Sequence, residues 1–277
     1  MFDKFSYTLS LMGASWEVLK RDKELLLFPL MSAIACGIVS ASFFIGMWGG
    51  HFLSPPGAEA QAQSKVLYYG LLFLFYFANY FVIIFFNAGI VACAVKRMRG
   101  GDPTVADGLG AAFGRLHAIF GWALVSATVS TILRMIEDRS TAVAGIIAAI
   151  LGVAWSVATF LVVPILVVER KGPVAAARQS ARMLKHTWGE QIIGGFGFGL
   201  VFIVLAIPGV VLVIMGAVGS GPAVAFAVLG VVYLLLLALV QSALHVIFQS
   251  AVYLYAAGES TPGAFGDNLL SGAMQSR

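Results

Sequence analysis

Long apolar runs separated by short charged segments set the pattern of this chain. No Asp, Glu, Lys or Arg occurs between Glu24 and Glu59, Lys65 and Lys96, Arg115 and Arg134, Arg139 and Glu169, or Glu190 and Glu259. A helical membrane crossing takes about 20 apolar residues. The last gap is long enough for two, with a turn near GAVGSGP (216–222). The pattern therefore predicts six spans, at roughly 25–50, 66–95, 117–136, 142–168, 191–216 and 223–256. A β-barrel would instead show segments of about 10 residues alternating apolar and polar. These runs are apolar all round, so each backbone amide must find its partner within its own helix. The expected fold is all-α: a polytopic membrane protein.

The charged segments carry a second pattern. Phe2, Phe5, Leu9, Met12, Trp16 and Leu19 recur at helical spacing ahead of the first span. Pro173 opens a run in which Ala177, Ala181, Leu184 and Trp188 form one face and Arg178, Arg182 and Lys185 the other. DPTVADGLGAAFGRLH (102–117) has a weaker stripe at Val105, Leu109, Ala112 and Leu116, and Pro262, Phe265 and Leu269 repeat it faintly in the tail. The predicted unit is an amphipathic interfacial helix followed by a membrane hairpin. It occurs three times, over 1–100, 101–171 and 172–257, with a tail helix at 262–273. All of it forms a single integral membrane domain over 1–277.

Composition agrees with this reading and adds an orientation. Of the 277 residues 60% are hydrophobic and 11% charged, against roughly 25% charged in soluble domains. The segments 1–24, 96–116, 169–190 and 257–277 hold 14 of the 17 Lys and Arg residues. The positive-inside rule then places both termini and the interfacial helices on the cytoplasmic side of the cell (inner) membrane. Lipids, with anionic headgroups against the basic helix faces, are the expected partners, and nucleic acid is not. The N-terminal segment has no uninterrupted apolar core of the signal-peptide kind. Cys36 and Cys93 both fall inside spans and are expected to be free thiols.

Within this apolar background the polar residues stand out. QSALHVIFQ (241–249) places Gln241, His245 and Gln249 on one helical stripe, and the second span carries Asn79 and Asn87 at the same eight-residue spacing. Polar side chains facing lipid are costly, so these five are expected to turn inward and meet in the cytoplasmic half, either joining helices or lining a polar path. Pro29, Pro164 and Pro208 are expected to kink their helices. Gly195 and Gly199, and the series Ala144, Ala148 and Gly152, allow close helix packing, within the chain or between copies in a homo-oligomer.

No catalytic constellation accompanies these residues. No Asp lies in a predicted span, and no HExxH zinc motif occurs. Ser220 and His245 fall on one helix, roughly 35–40 Å apart, too far to form a nucleophile–base pair. Neither an enzyme nor a metal or cofactor is expected.

The stretch VVPILVVERKGPVAAARQSARMLKHTW (162–188) combines Pro164-Ile165 in a span, Glu169 at its end, Gly172-Pro173, then Ser180 and Leu184 on a basic surface helix. With WEVLKRDKELLLFPL (16–30) it resembles an uncharacterised family of bacterial and archaeal six-span membrane proteins. More distantly it resembles the membrane domain of some glycerophosphodiester phosphodiesterases. The resemblance implies a fold and no activity, since the phosphodiesterase barrel is absent. Two functional expectations follow. One is passive conduction or solute transport along a polar path between the second and sixth spans. The alternative is a non-transporting scaffold, assembly factor or lipid-interacting protein.

Overall fold

A computed structural model describes residues 2–49, 62–138, 142–188, 196–218 and 223–259. Every regular element among them is helical. Helix α1 (Phe2–Arg21) leads through a single 3-10 turn, Lys23–Leu26, into α2 (Leu27–Gly49). There follow α3 (Ala62–Met98), α4 (Val105–Phe113), α5 (Leu116–Glu137), α6 (Ala142–Ala158), α7 (Val162–Val168), α8 (Pro173–Trp188), α9 (Phe196–Val218) and α10 (Val224–Ala256). Six stretches are long and apolar enough to cross a membrane: Lys23–Ile45, Ser64–Met98, Leu116–Glu137, Val143–Val168, Val201–Val218 and Val224–Ala256. The chain is a multi-pass helical membrane protein.

The expected surface helices ahead of the first, third and fifth spans are present as α1, α4 and α8. The stripe at 102–117 shortens to α4 because Thr104 starts it. Thr104 Oγ1 accepts from the Asp107 amide, and Asp107 accepts from the Thr104 amide in return. On α8 the buried stripe is Ala176, Ser180 and Leu184. Ala181, expected to face inward, is exposed. Alanine gives little amphipathic signal, and a serine in the buried stripe hides it further. The tail helix expected at 262–273 lies outside the described residues.

One end of the bundle is tied together by charge. Arg97 at the end of α3 binds Asp22, after α1, and Asp102. Arg99 meets Glu259, beyond α10, at 2.7 Å, and Lys96 meets Asp107 of α4 at 2.9 Å. Near the other end, Arg134 pairs with Glu137 and Asp138, and Asp138 accepts from the Tyr69 hydroxyl at 3.2 Å. The apolar core lies toward the first of these, the basic end. It is built from residues such as Phe28, Ile90, Ile119, Ile165, Leu184, Ile247 and Leu254.

Away from that core the helix pairs behave differently. α3 packs along α5 through Phe77–Phe120 and Tyr80–Ser130, whose oxygens are 2.7 Å apart. The hairpin α9–α10 is buried in its far half only where its two helices touch. Ile214, Val218 and Leu235 there are 55%, 84% and 59% exposed, as side chains facing lipid would be. Glycines make that contact. A Cβ on Gly230 would stand 2.7 Å from the Gly209 carbonyl oxygen, and one on Gly216 would collide with the Ala227 backbone. The expected GxxxG pair is described at one member only. Gly195 is outside the described residues, and a Cβ on Gly199 would meet nothing within 4 Å. In the fourth span Ala144 and Ala148 are buried and Gly152 faces Leu133 of α5, as the small-residue spacing suggested.

The three prolines sit differently in their helices. Pro29 sits in the first turn of α2, directly after the 3-10 turn Lys23–Leu26. Pro208 lies inside α9 without interrupting it, and nearby the Tyr233 hydroxyl of α10 donates to the Leu205 carbonyl at 2.7 Å. Only Pro164 coincides with a break. The fourth span, expected as one helix over 142–168, divides into α6 and α7. Cys36 and Cys93 are free, the first half-buried and the second buried.

Gly216→Ala is expected to destabilise the protein by about 1–3 kcal/mol, the usual cost of overpacking. Gly199→Ala, with open space around it, should be near neutral. Unfolding in mixed detergent micelles compares them. Equal stability of the two variants would refute glycine-mediated packing of α9 on α10.

Candidate functional site

The break in the fourth span has a local cause. Phe160 donates its amide to Val157 three residues back, at 3.1 Å, which tightens the last turn of α6. Thr159 turns its hydroxyl onto the Trp155 carbonyl at 2.8 Å. The Leu161 amide is then left without a carbonyl in its own helix. Pro164 has no N–H, so the Phe160 carbonyl four residues earlier loses its usual donor. One donor and one acceptor would be bare inside hydrocarbon, where each costs several kcal/mol.

Two other helices supply the partners. The Leu161 amide donates to Ser180 Oγ of α8 at 3.0 Å, with Ser180 fully buried. Gln249 Nε2 of α10 donates to the Phe160 carbonyl. The far end of α7 is held by the same two helices. Glu169 Oε1 accepts from Gln179 Nε2 of α8 at 2.6 Å and from the Tyr253 hydroxyl of α10 at 3.3 Å. Lys171 completes the group at 2.8 Å. Thus α8 uses the adjacent Gln179 and Ser180, and α10 uses Gln249 and Tyr253 one turn apart, to bracket α7. Between the brackets Val162, Ile165 and Leu166 are fully buried. Burial pushes the Glu169 carboxyl up, but Lys171, Gln179 and Tyr253 outweigh it and hold it below its ordinary value, so it stays charged at neutral pH.

Polar side chains of the two stripes bond to separate partners. Asn79 ties α3 to α2: its Nδ2 donates to Phe75 O at 2.9 Å, and its Oδ1 accepts from Ser40 at 3.4 Å. Asn87 and Gln241 are half-buried. Among the described residues no hydrogen bond joins the α3 amides to those of α10. Gln249 serves the broken span instead. His245 joins none of these ties. It is accessible although protein surrounds it on most sides, and its ring lies edge-on to Phe160 at 5.8 Å. Matched spacing placed each pair on one stripe but could not say which neighbour that stripe would face.

On the outer side of α8, Arg178, Arg182 and Lys185 are exposed. Arg182 Nε touches only the Arg178 carbonyl, at 3.3 Å, and none of the three joins an ion pair among the described residues. The helix ends at Trp188, whose side chain is outside the described ones. Arg115, at the start of α5, is held below its ordinary pKa by burial and by the charge of Arg170.

Gln179, Ser180, Glu169 and Tyr253 were not singled out from polarity or periodicity. Three of the bracketing features are nonetheless in the pattern of 162–188: Pro164-Ile165, Glu169 and Ser180. The same region falls within a recognised family, whose sequence description matches residues 66–263. The chain belongs to DUF6159, a family of unknown function. No curated protein matches it. The DUF6159 match runs from α3 past α10 and includes every residue of the α7 bracket. It agrees with the resemblance to an uncharacterised family and carries no link to the phosphodiesterases.

If Gln249 is needed because Pro164 frees a carbonyl, the two positions are coupled. Gln249→Leu is expected to cost about 1 kcal/mol in the natural background, the scale of an interhelical hydrogen bond in a membrane. The cost should fall toward zero in Pro164→Ala, whose own amide can reach Phe160. A double-mutant cycle on unfolding free energy measures this. Effects that add within about 0.3–0.5 kcal/mol would refute the coupling.

Proposed function

We propose that this chain is a non-catalytic membrane protein that works by binding anionic lipid headgroups through its interfacial layer, with α8 as the main contact. One contrast carries the reading. Inside the bundle Asn79 and Gln249 are engaged in helix-to-helix ties. At the basic end Lys96, Arg97, Arg99 and Lys171 are neutralised by carboxylates. Arg178, Arg182 and Lys185 are left exposed along one helix without a carboxylate partner among the described residues. A row of unpaired cations at a membrane interface suits phosphate, which each Lys or Arg near an anionic leaflet attracts by about 1 kcal/mol. Arg115 and Arg170, close enough to repel one another, add positive potential near the start of α8. By the positive-inside rule, the charge distribution supports a cytoplasmic side for this surface. The residue inventory, without a nucleophile–base pair or an intramembrane carboxylate pair, supports a role other than catalysis.

A second reading has its own observation. His245 is accessible beside a discontinuous span, and discontinuous helices are where many transporters place their substrate sites. On that reading the route for a small solute runs between the fourth and sixth spans rather than the second and sixth.

The test compares the natural protein with Arg178→Gln/Arg182→Gln/Lys185→Gln in vesicles of phosphatidylcholine with and without phosphatidylglycerol. At about 1 kcal/mol per cation, the triple variant should lose roughly 100-fold in its preference for the anionic lipid. An unchanged preference would remove the headgroup reading. Labelling of His245→Cys by a water-soluble thiol reagent, together with solute flux in reconstituted vesicles, would favour the second.

A further inference from the structure

We infer that anionic lipid on the outer face of α8 is coupled to the break in the fourth span, with Ser180 as the link between them. This rests on the headgroup reading and adds what the bound lipid controls.

The two faces of α8 do different things. Ala176, Ser180 and Leu184 form its buried side, at 0%, 0% and 3% exposure. Arg178 and Arg182 lie two residues to either side of Ser180, so they project from the opposite side. A helix moves as a unit. Anything that draws the guanidinium groups toward or away from the headgroup layer shifts the Ser180 hydroxyl relative to the Leu161 amide.

The break is the place where such a shift matters. α7 packs on α3, α8 and α10, whereas α6 packs on α5 and α8. The Thr159–Leu161 junction therefore joins a segment anchored in the core to one anchored at the side, and α8 touches both. α8 also holds both ends of α7, through Ser180 on Leu161 and Gln179 on Glu169. Its own start is wedged against α5, where a Cβ on Gly121 would lie 2.8 Å from Pro173 Cγ. Lipid that favours the docked position of α8 favours the closed junction. By linkage, closing the junction favours lipid on α8 by the same factor.

The occupant is a lipid phosphate rather than a peptide or nucleic acid. The cations sit on a surface helix that joins two spans, beside exposed Val174, with the apolar belt of the bundle next to them. A headgroup reaches that position without leaving the bilayer.

Hydrogen exchange at the Leu161 amide reads the coupling directly. The full chain is placed in nanodiscs of phosphatidylcholine alone, or of phosphatidylcholine with phosphatidylglycerol, and lipid binding is measured in parallel. The natural protein should exchange about tenfold more slowly over 157–163 in the anionic discs, within the usual range of couplings between sites. Arg178→Gln/Arg182→Gln/Lys185→Gln changes only exposed side chains and should fold. It should exchange at one rate in both discs. Ser180→Ala should exchange faster in both and lose the lipid dependence, and Ser180→Thr, which keeps the hydroxyl, should recover it. Preferential binding of phosphatidylglycerol with equal exchange in the two discs, including none in either, overturns the coupling and leaves the headgroup reading standing. No preference for phosphatidylglycerol in the natural protein overturns both. Should Ser180→Ala fail to fold, the natural protein and the triple variant still decide the matter.

Discussion

A backbone amide or carbonyl left bare in hydrocarbon has nowhere to turn, because lipid chains offer no donor or acceptor. In most of this protein the constraint is met inside each helix and leaves no trace. At Thr159–Leu161 it is not, because Pro164 removes a donor and the last turn of α6 tightens. The missing partners must come from elsewhere, which fixes where elsewhere has to be. Ser180 and Gln249 have to lie against the junction, so α8 and α10 have to pack on α7. Much of the buried core, including Ile165, Leu166, Leu184, Ile247 and Leu254, lies on these three elements. A local loss of two hydrogen bonds thus sets the arrangement of a third of the bundle.

The rest is held by simpler means. At the basic end carboxylates pair with Lys96, Arg97 and Arg99 and gather the ends of α1, α3, α4 and α10. Arg97 is the strongest case, with Asp22 only 8% exposed and a second carboxylate from Asp102. In the far half of α9–α10 neither charge nor polar ties are abundant, and close approach of backbones at Gly209, Gly216 and Gly230 takes their place. Lipid gives no hydrophobic drive for two apolar helices to associate, so dispersion across a tight glycine contact is the force available there. Order along the membrane normal follows: ion pairs at the basic end, polar ties around α7, and backbone packing in the far half of the last hairpin.

How much of this was legible depended on whether water was one of the two environments. Where a helix lies between core and water, its presence shows in the sequence even when its buried stripe does not. α1 and α8 are accordingly found where the periodicity placed them, the latter from Pro173 to Trp188. The spans were legible as runs but not as faces, because a helix between core and lipid is apolar on both sides. That is why the close approach at Gly209 carries no signal in the sequence that Gly199 lacks. The same limit hid the bracket around α7. Ser180 is an ordinary small polar residue in a surface helix, and only its position opposite a bare amide gives it weight. Pro164 was the visible clue. It announced a free carbonyl, and the polar residue that answers it, Gln249, was already conspicuous 85 residues later.

The energetics of the junction bear on what it can do. Leaving a buried donor or acceptor without its partner costs about 1–3 kcal/mol, and opening at Thr159–Leu161 would strip both Leu161 and Phe160. Taken together, about 2–6 kcal/mol keeps the junction closed in all but a few per cent of molecules, and in far fewer at the upper end. Spontaneous opening is therefore rare, and a passive route through it would conduct poorly unless another element moved first. The candidates are the two helices that supply the ties. α10 is fixed by a face running from Ala243 to Leu254 that is largely buried. α8 is short, lies at the surface, and keeps Arg178, Arg182 and Lys185 exposed. The helix best placed to alter the junction is thus the one that is least anchored.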